Sequence, residues 1–317
     1  MRNLLKRLSF TPGAFRRAAI GWAAVIGVGL AFSVALTGCA PAASNDPVVA
    51  MRVDGVPVSL SAYQQMLALW TANNALNTDA NASAVGWTSP DDRSLLLSGR
   101  QQTVQFFAST LSLKEKLDQA HIAVTQNDIN VATKAMNSEI ASVRDSLKQE
   151  PGNARLRQEV DALTPDVVKW LAEQQAYQTV FLNKGQIPTA HIRVILVNTQ
   201  ADANSILAQL KAGADFATLA KAHSTDTQTA ANGGDVSQPI YAGQIGIDFD
   251  QLVFLSKQRA PFSLQLQGSG YGIFEVVSVA NGKLSAVSDT STAQQYLNGW
   301  LTDVVAKQIT VDNYLGS

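Results

Sequence analysis

Residues 190–235 constrain the fold more than any other stretch of this chain. Ala190-His191-Ile192-Arg193-Val194 reads as a strand carrying a histidine, residues 203–226 follow with the spacing of an amphipathic helix, and Asn232-Gly233-Gly234-Asp235 closes as a glycine turn. A strand, a helix and a tight turn in immediate succession call for a mixed α and β unit.

The N-terminus bounds where such a unit would work. Arg2, Lys6, Arg7, Arg16 and Arg17 precede an apolar run from Ala18 to Leu36, which closes on Leu36-Thr37-Gly38-Cys39. Basic residues followed by an apolar run are the layout of a secretory signal, although this run is also long enough for an uncleaved transmembrane anchor. Cys39 is the only cysteine, so it has no partner within the chain for a disulfide. Small residues just before a lone Cys resemble the bacterial lipobox, which implies a signal peptide over 1–38, lipid attachment at Cys39 and a short polar tether over 39–46. Each buried methylene contributes roughly 0.8 kcal/mol, and stable anchoring takes more than one acyl chain. The chain is thus expected to be extracytoplasmic and held by its lipid at the bacterial cell membrane.

Removing the five basic residues of the signal from the chain's 24 leaves 19 against 25 acidic side chains, a net charge of about −6. That balance excludes a phosphate-reading surface, and no nucleic-acid partner is expected. The remaining length is enough for two domains.

Ahead of residue 190, Val48–Val53, Asp54-Gly55 and Val56-Pro57-Val58 read as a hairpin. Ser59 or Ser61 can cap a helix carrying Tyr63, Met66, Leu67, Leu69 and Trp70, and 72–92 turns to Asn, Ala, Thr, Ser and Asp as a loop. Leu96, Val104, Phe107, Leu111, Leu113 and Leu117 mark a helix over 94–120. Thr125, with Asp128 three residues on, can cap another. Thr164-Pro165 opens a helix to Asn183. Near the C-terminus, 288–307 reads as a helix and 309–312 as a strand, while 183–186 and 280–283 read as hinges.

The 190–235 segment resembles the parvulin family of peptidyl-prolyl isomerases, and the likeness extends to about residue 280. The hairpin and helices before it are similar to the N-terminal region of extracytoplasmic foldases of the PrsA and SurA kind. Together these imply an α+β chain: a split all-helical, chaperone-like domain with an inserted parvulin-like α/β domain made of a small antiparallel sheet with helices. The expected parts are an N-terminal helical domain at 47–183, the isomerase domain at 186–281, and a segment at 284–317 that returns to the N-terminal domain.

Rotating a peptide bond breaks amide resonance against a barrier of about 18–20 kcal/mol, and no metal or cofactor is needed in principle. What is needed is an apolar slot for the proline ring and groups that favour the twisted amide. The resemblance places His191, Asp226 and Ser269 in the catalytic cluster and Ile245 and Phe249 at the proline pocket. Its implied partners are unfolded or newly exported polypeptides containing X-Pro bonds. Gly272 stands where the family carries a second histidine that contacts the first, and this leaves an alternative: a parvulin-fold holdase that binds unfolded clients without isomerising them. His121 and His223 fit no metal-ligand pattern and are expected to be surface or structural residues.

Overall fold

The structure, a computed structural model, describes residues 49–76, 90–149, 154–266, 270–308 and 310–313. The expected signal peptide, Cys39, the tether and Ser269 lie outside the described residues. Among the described residues, no helix is long and apolar enough to cross a membrane. Two compact units are present.

The first unit begins with a hairpin, β1 (Val49–Val53) and β2 (Val56–Ser59), in antiparallel register. Asp54 (φ 46°) and Gly55 (φ 80°) both adopt positive φ, as the tight turn in Asp-Gly hairpins requires. Four helices follow: α1 (Leu60–Leu76), α2 (Pro90–Gln119), α3 (Gln126–Lys148) and α4 (Ala154–Asp161). A fifth, α5 (Pro165–Lys184), leads into the second unit. Thr125 and Asp128 form the reciprocal capping box that starts α3. The core gathers Met51, Tyr63, Met66, Phe107, Met136, Val160 and Leu171, with Phe107 edge-on to Trp170 at 5.0 Å. Strand β7 (Val311–Asn313) completes a three-stranded sheet by pairing with β1.

The second unit runs from Leu182 to Lys307. Its sheet has the order β4-β3-β6-β5, from β3 (Gln186–Val197), β4 (Ile240–Tyr241), β5 (Phe262–Leu266) and β6 (Gly270–Lys283). The helix read over 203–226 is two helices, α6 (Gln200–Lys211) and α7 (Phe216–His223). Gly213 at φ 93° breaks them, and Asp215 caps the second. A short helix α8 (Thr227–Ala231) precedes the Gly233-Gly234 turn. Helix α9 (Ile247–Asp250) continues as a π-helical turn over Gln251–Leu255.

Hydrogen-bond accounting shows why β3 is the spine of this unit. β6 occupies one edge along its whole length. On the other edge, Ala242 N donates to Pro188 O, β4 pairs at Thr189 and Ala190, Val236 N donates to Ile192 O, Val194 N to Gly234 O, and Thr225 N to Leu196 O. Gly234 is required here, because a Cβ on it would lie 2.8 Å from Val194 O. The stretches read as hinges are partly paired strand instead, with Gln186 opposite Lys283 and Ile187 opposite Gly282.

Helix α10 (Thr290–Asp303) packs within this unit. The reason is a glycine crossing. A Cβ on Gly243 would stand 2.8 Å from Gly299 Cα, so only paired glycines let the Gly243 turn and α10 approach this closely. Tyr241 and Tyr296 stack beside the crossing at 5.4 Å.

Candidate functional site

Side chains on a strand alternate between faces, and β3 sorts its residues cleanly. Ala190, Ile192, Val194 and Leu196 face one cluster with Ile240, Phe249, Val253, Phe262, Phe274 and Val276. Ile195 and Val197 face the other, with Ile206, Phe216, Leu219 and Ile273, beneath α6 and α7. Gly272 lies two residues from Phe274 on β6 and so belongs to the first face.

This sorting corrects the expected histidine cluster. Gly272 pairs with Leu196, whereas His191 pairs with Ser278. The five residue steps along β3 from His191 to Leu196 correspond to about 16 Å. His191 also points away from the Phe249 cluster: it is partly exposed, and its Nε2 lies 2.8 Å from Asp235 Oδ1. A side chain at 272 would meet Leu196 and, diagonally, Val194, never His191. A one-residue bulge at the His191/Ile192 step fixes this register.

Position 272 is filled from elsewhere. A Cβ there would stand 2.7 Å from Phe274 Cζ and 3.1 Å from Leu266 Cδ1. The Phe274 ring thus lies over the glycine, in the space a larger residue would take.

Asp226, expected to face the reacting amide, is the N-cap of α8. Its Oδ2 accepts from Thr229 Oγ1 at 2.6 Å and from Thr229 N at 3.4 Å. Ser224 Oγ accepts from Leu196 N, which ties this turn to β3. Phe249, expected to line the proline pocket, is only 1% exposed and packs against Phe254, Phe262 and Phe274. A pocket wall must present a surface, so Phe249 is core here. Ile245 is half-buried against the same cluster, and the neighbouring Ile247 is 42% exposed. The accessible apolar surface at this end of the cluster therefore comes from Ile245 and from Ile247 at the start of α9.

One functional-looking group has no signal in the sequence. Asp250 is fully buried, its Oδ2 accepts from Gly243 N at 2.6 Å, and its Oδ1 makes no hydrogen bond. Burial is the main cause that pushes this carboxyl up to about 8; the Gly243 hydrogen bond opposes the rise, and the nearby Asp303 carboxylate adds to it. Tertiary packing puts Asp250 out of water, and local pattern does not report that.

Residues 180–282 match the family described as the PPIC-type PPIASE domain. This chain carries a parvulin-type domain. Among curated proteins it is similar to the foldase protein PrsA 1 of Listeria innocua, 31% identical over 116 residues, which cover 36% of this chain and 39% of that protein. It is also similar to a parvulin-like PPIase of Rickettsia prowazekii, 25% identical over 221 residues, covering 67% of this chain and 72% of that protein. Among solved structures, PrsA from Bacillus anthracis aligns over 64% of this chain and 91% of its own, at 16% identity and a TM-score of 0.26. PrsA from Bacillus subtilis covers 72% and 90%, at 20% identity and a TM-score of 0.24. Superpositions this loose carry no argument about the arrangement of the whole chain. The parvulin-type domain is identified by its match over 180–282 and described by the sheet and helices above.

Proposed function

We propose that this chain is a lipid-anchored, extracytoplasmic folding factor that accelerates X-Pro isomerisation in exported polypeptides, using the apolar surface around Ile245 and Ile247. The match of the parvulin-type domain over 180–282 carries this reading. The lipobox-like ending at Cys39 supports the anchor, and the net negative charge beyond it fits polypeptide rather than nucleic-acid clients.

The mechanism follows from what the face lacks. A planar amide is more polar than a twisted one, because resonance moves charge from nitrogen to oxygen. Water therefore stabilises the planar form more, and an apolar wall that strips water from the X-Pro bond lowers the rotation barrier. Each 1.36 kcal/mol removed is worth about tenfold in rate. Asp226 and His191 act in this reading as positioning groups: Asp226 holds α8, and His191 holds Asp235 beside the glycine turn. Because no ionised side chain of β3 faces this surface, its rate enhancement comes from desolvation and orientation alone, and is modest.

A second reading, binding of clients without isomerising them, rests on one observation. Phe274 covers Gly272 and fills the face where a polar group would stand, which suits binding of clients without rotation. Two refolding experiments separate the readings. A client limited by a trans-to-cis proline step should refold at least about threefold faster with the full chain, against an uncatalysed phase of about 10–100 s. If the chain leaves that phase unchanged yet suppresses aggregation of a proline-free client, binding without isomerisation is its activity.

A further inference from the structure

Asp250 lies where two functions of the second unit meet. Along the chain it follows Phe249 directly, at the end of the Gly243–Phe249 segment that carries Ile245 and Ile247. In space, its Oδ2 holds Gly243 N–H at the start of that segment, at the point where Gly243 and Gly299 of α10 meet backbone to backbone. One carboxyl thus closes a loop of seven residues and lies beneath the docking site of a helix.

The second oxygen is the informative atom. Oδ1 is buried with no hydrogen-bond partner. A neutral carboxyl tolerates that, because it carries no net charge into the interior, whereas a carboxylate leaves half of its charge unsolvated. The groups around it offer no compensation. From α10, Asp303 approaches with its own charge, its carboxyl also raised by burial, with Asp248 adding to the rise and Thr302 and Lys307 opposing it. From β4 and α10 come the stacked Tyr241 and Tyr296, and burial raises the Tyr296 hydroxyl further above its usual range. Among the described residues, no cation is placed against Asp250 itself, for which Gly243 N–H and the Asp303 charge are the specific influences.

We propose that Asp250 in its neutral form is a positioning residue for client binding, and that its ionisation loosens the Gly243–Phe249 segment and undocks α10 from it. The first half rests on the reading of Ile245 and Ile247 as the client surface; the second half stands on the geometry alone. At the crossing itself the contact is backbone to backbone, with the Tyr241–Tyr296 stack beside it, so the contact is sensitive to what lies beneath it. A charge appearing there, with Asp303 alongside, acts against both partners at once. Client affinity should then fall as pH rises, without any histidine being involved.

The test uses the full chain in detergent, a fluorescein-labelled Ala-Leu-Pro-Phe peptide as probe, and 5-fluorotryptophan incorporation to read Trp300 of α10 by 19F NMR. In the wild-type chain, peptide affinity should drop about tenfold between about pH 6.5 and pH 9.5, and the Trp300 resonance should move with the same midpoint. Asp250→Asn keeps an acceptor for Gly243 N–H but does not ionise, so affinity and resonance should both stay level within about twofold across that range. Asp303→Asn removes the like charge and should shift the midpoint to lower pH. An Asp250→Asn chain that follows the wild-type pH curve overturns the proposal, and so does a wild-type Trp300 resonance that does not titrate. If the peptide binds at no pH, the client-surface reading has failed and the Trp300 titration alone decides whether Asp250 controls the docking of α10.

Discussion

Replacing Phe274 with Ala should destabilise the parvulin-type unit by about 3–5 kcal/mol, and a side chain added at 272 should cost less in that background than in the wild-type chain. Phe274 is fully buried, with its ring 5.3 Å from Phe249 and 5.6 Å from Phe262, so truncation opens a cavity against two aromatic rings. Gly272→Ala alone is also unfavourable, by about 1–3 kcal/mol, because its Cβ would press on the Phe274 ring at 2.7 Å. In the double variant the methyl group enters space the ring has left. The combined cost should therefore fall short of the sum by about 1–2 kcal/mol. Urea unfolding of the four chains measures this cycle, and strict additivity would show that the ring and the glycine are independent.

Asp250→Asn should stabilise the unit by an amount that grows with pH. Burial pushes the Asp250 carboxyl up to about 8 in the folded chain, against about 3.9 when unfolded. Between these values the native state holds a proton that the unfolded state has released. Stability accordingly falls as pH rises through this window, by up to about 1.4 kcal/mol per pH unit, and levels off above it. The asparagine variant lacks this slope, so its advantage over the wild-type chain should be small near pH 4 and on the order of 4 kcal/mol near pH 8. Asp289, held down to about 2 by hydrogen bonds from Ser291 and Thr292, slopes the opposite way at lower pH. The difference between the two chains isolates Asp250. Urea unfolding at pH 5, 7 and 9 reads it, and a gap that does not widen with pH would contradict the burial argument.

What was legible in the sequence follows from how local each cause is. The Asp54-Gly55 turn, the Thr125 capping box and the strand at 190–194 are set within a few residues, and the pattern there carries them. Gly213 also acts locally, yet apolar spacing runs across it, so α6 and α7 read as one helix. Strand register is not local. Whether His191 can meet a residue at 272 depends on the pairing of β3 with β6 and on the bulge at His191, eighty residues from its partner strand. Ile245 and Phe249 read correctly as apolar, but which of them shows a surface is decided by Phe254, Phe262 and Phe274 closing over one and not the other. Asp250 is the extreme case: an acidic residue in a polar-looking segment becomes a buried acid through tertiary packing, which the local pattern does not report.

In the proposed function an apolar surface, and not a histidine pair, accelerates X-Pro rotation. Cis to trans exchange of short X-Pro peptides, measured by exchange NMR on the full chain with His191→Ala and Ile245→Asp beside it, tests that most directly. The expected result is acceleration over buffer that survives His191→Ala and is lost with Ile245→Asp, each tenfold of acceleration corresponding to about 1.36 kcal/mol of barrier. Acceleration abolished by His191→Ala, or exchange no faster than buffer across a panel of residues preceding proline, would contradict it.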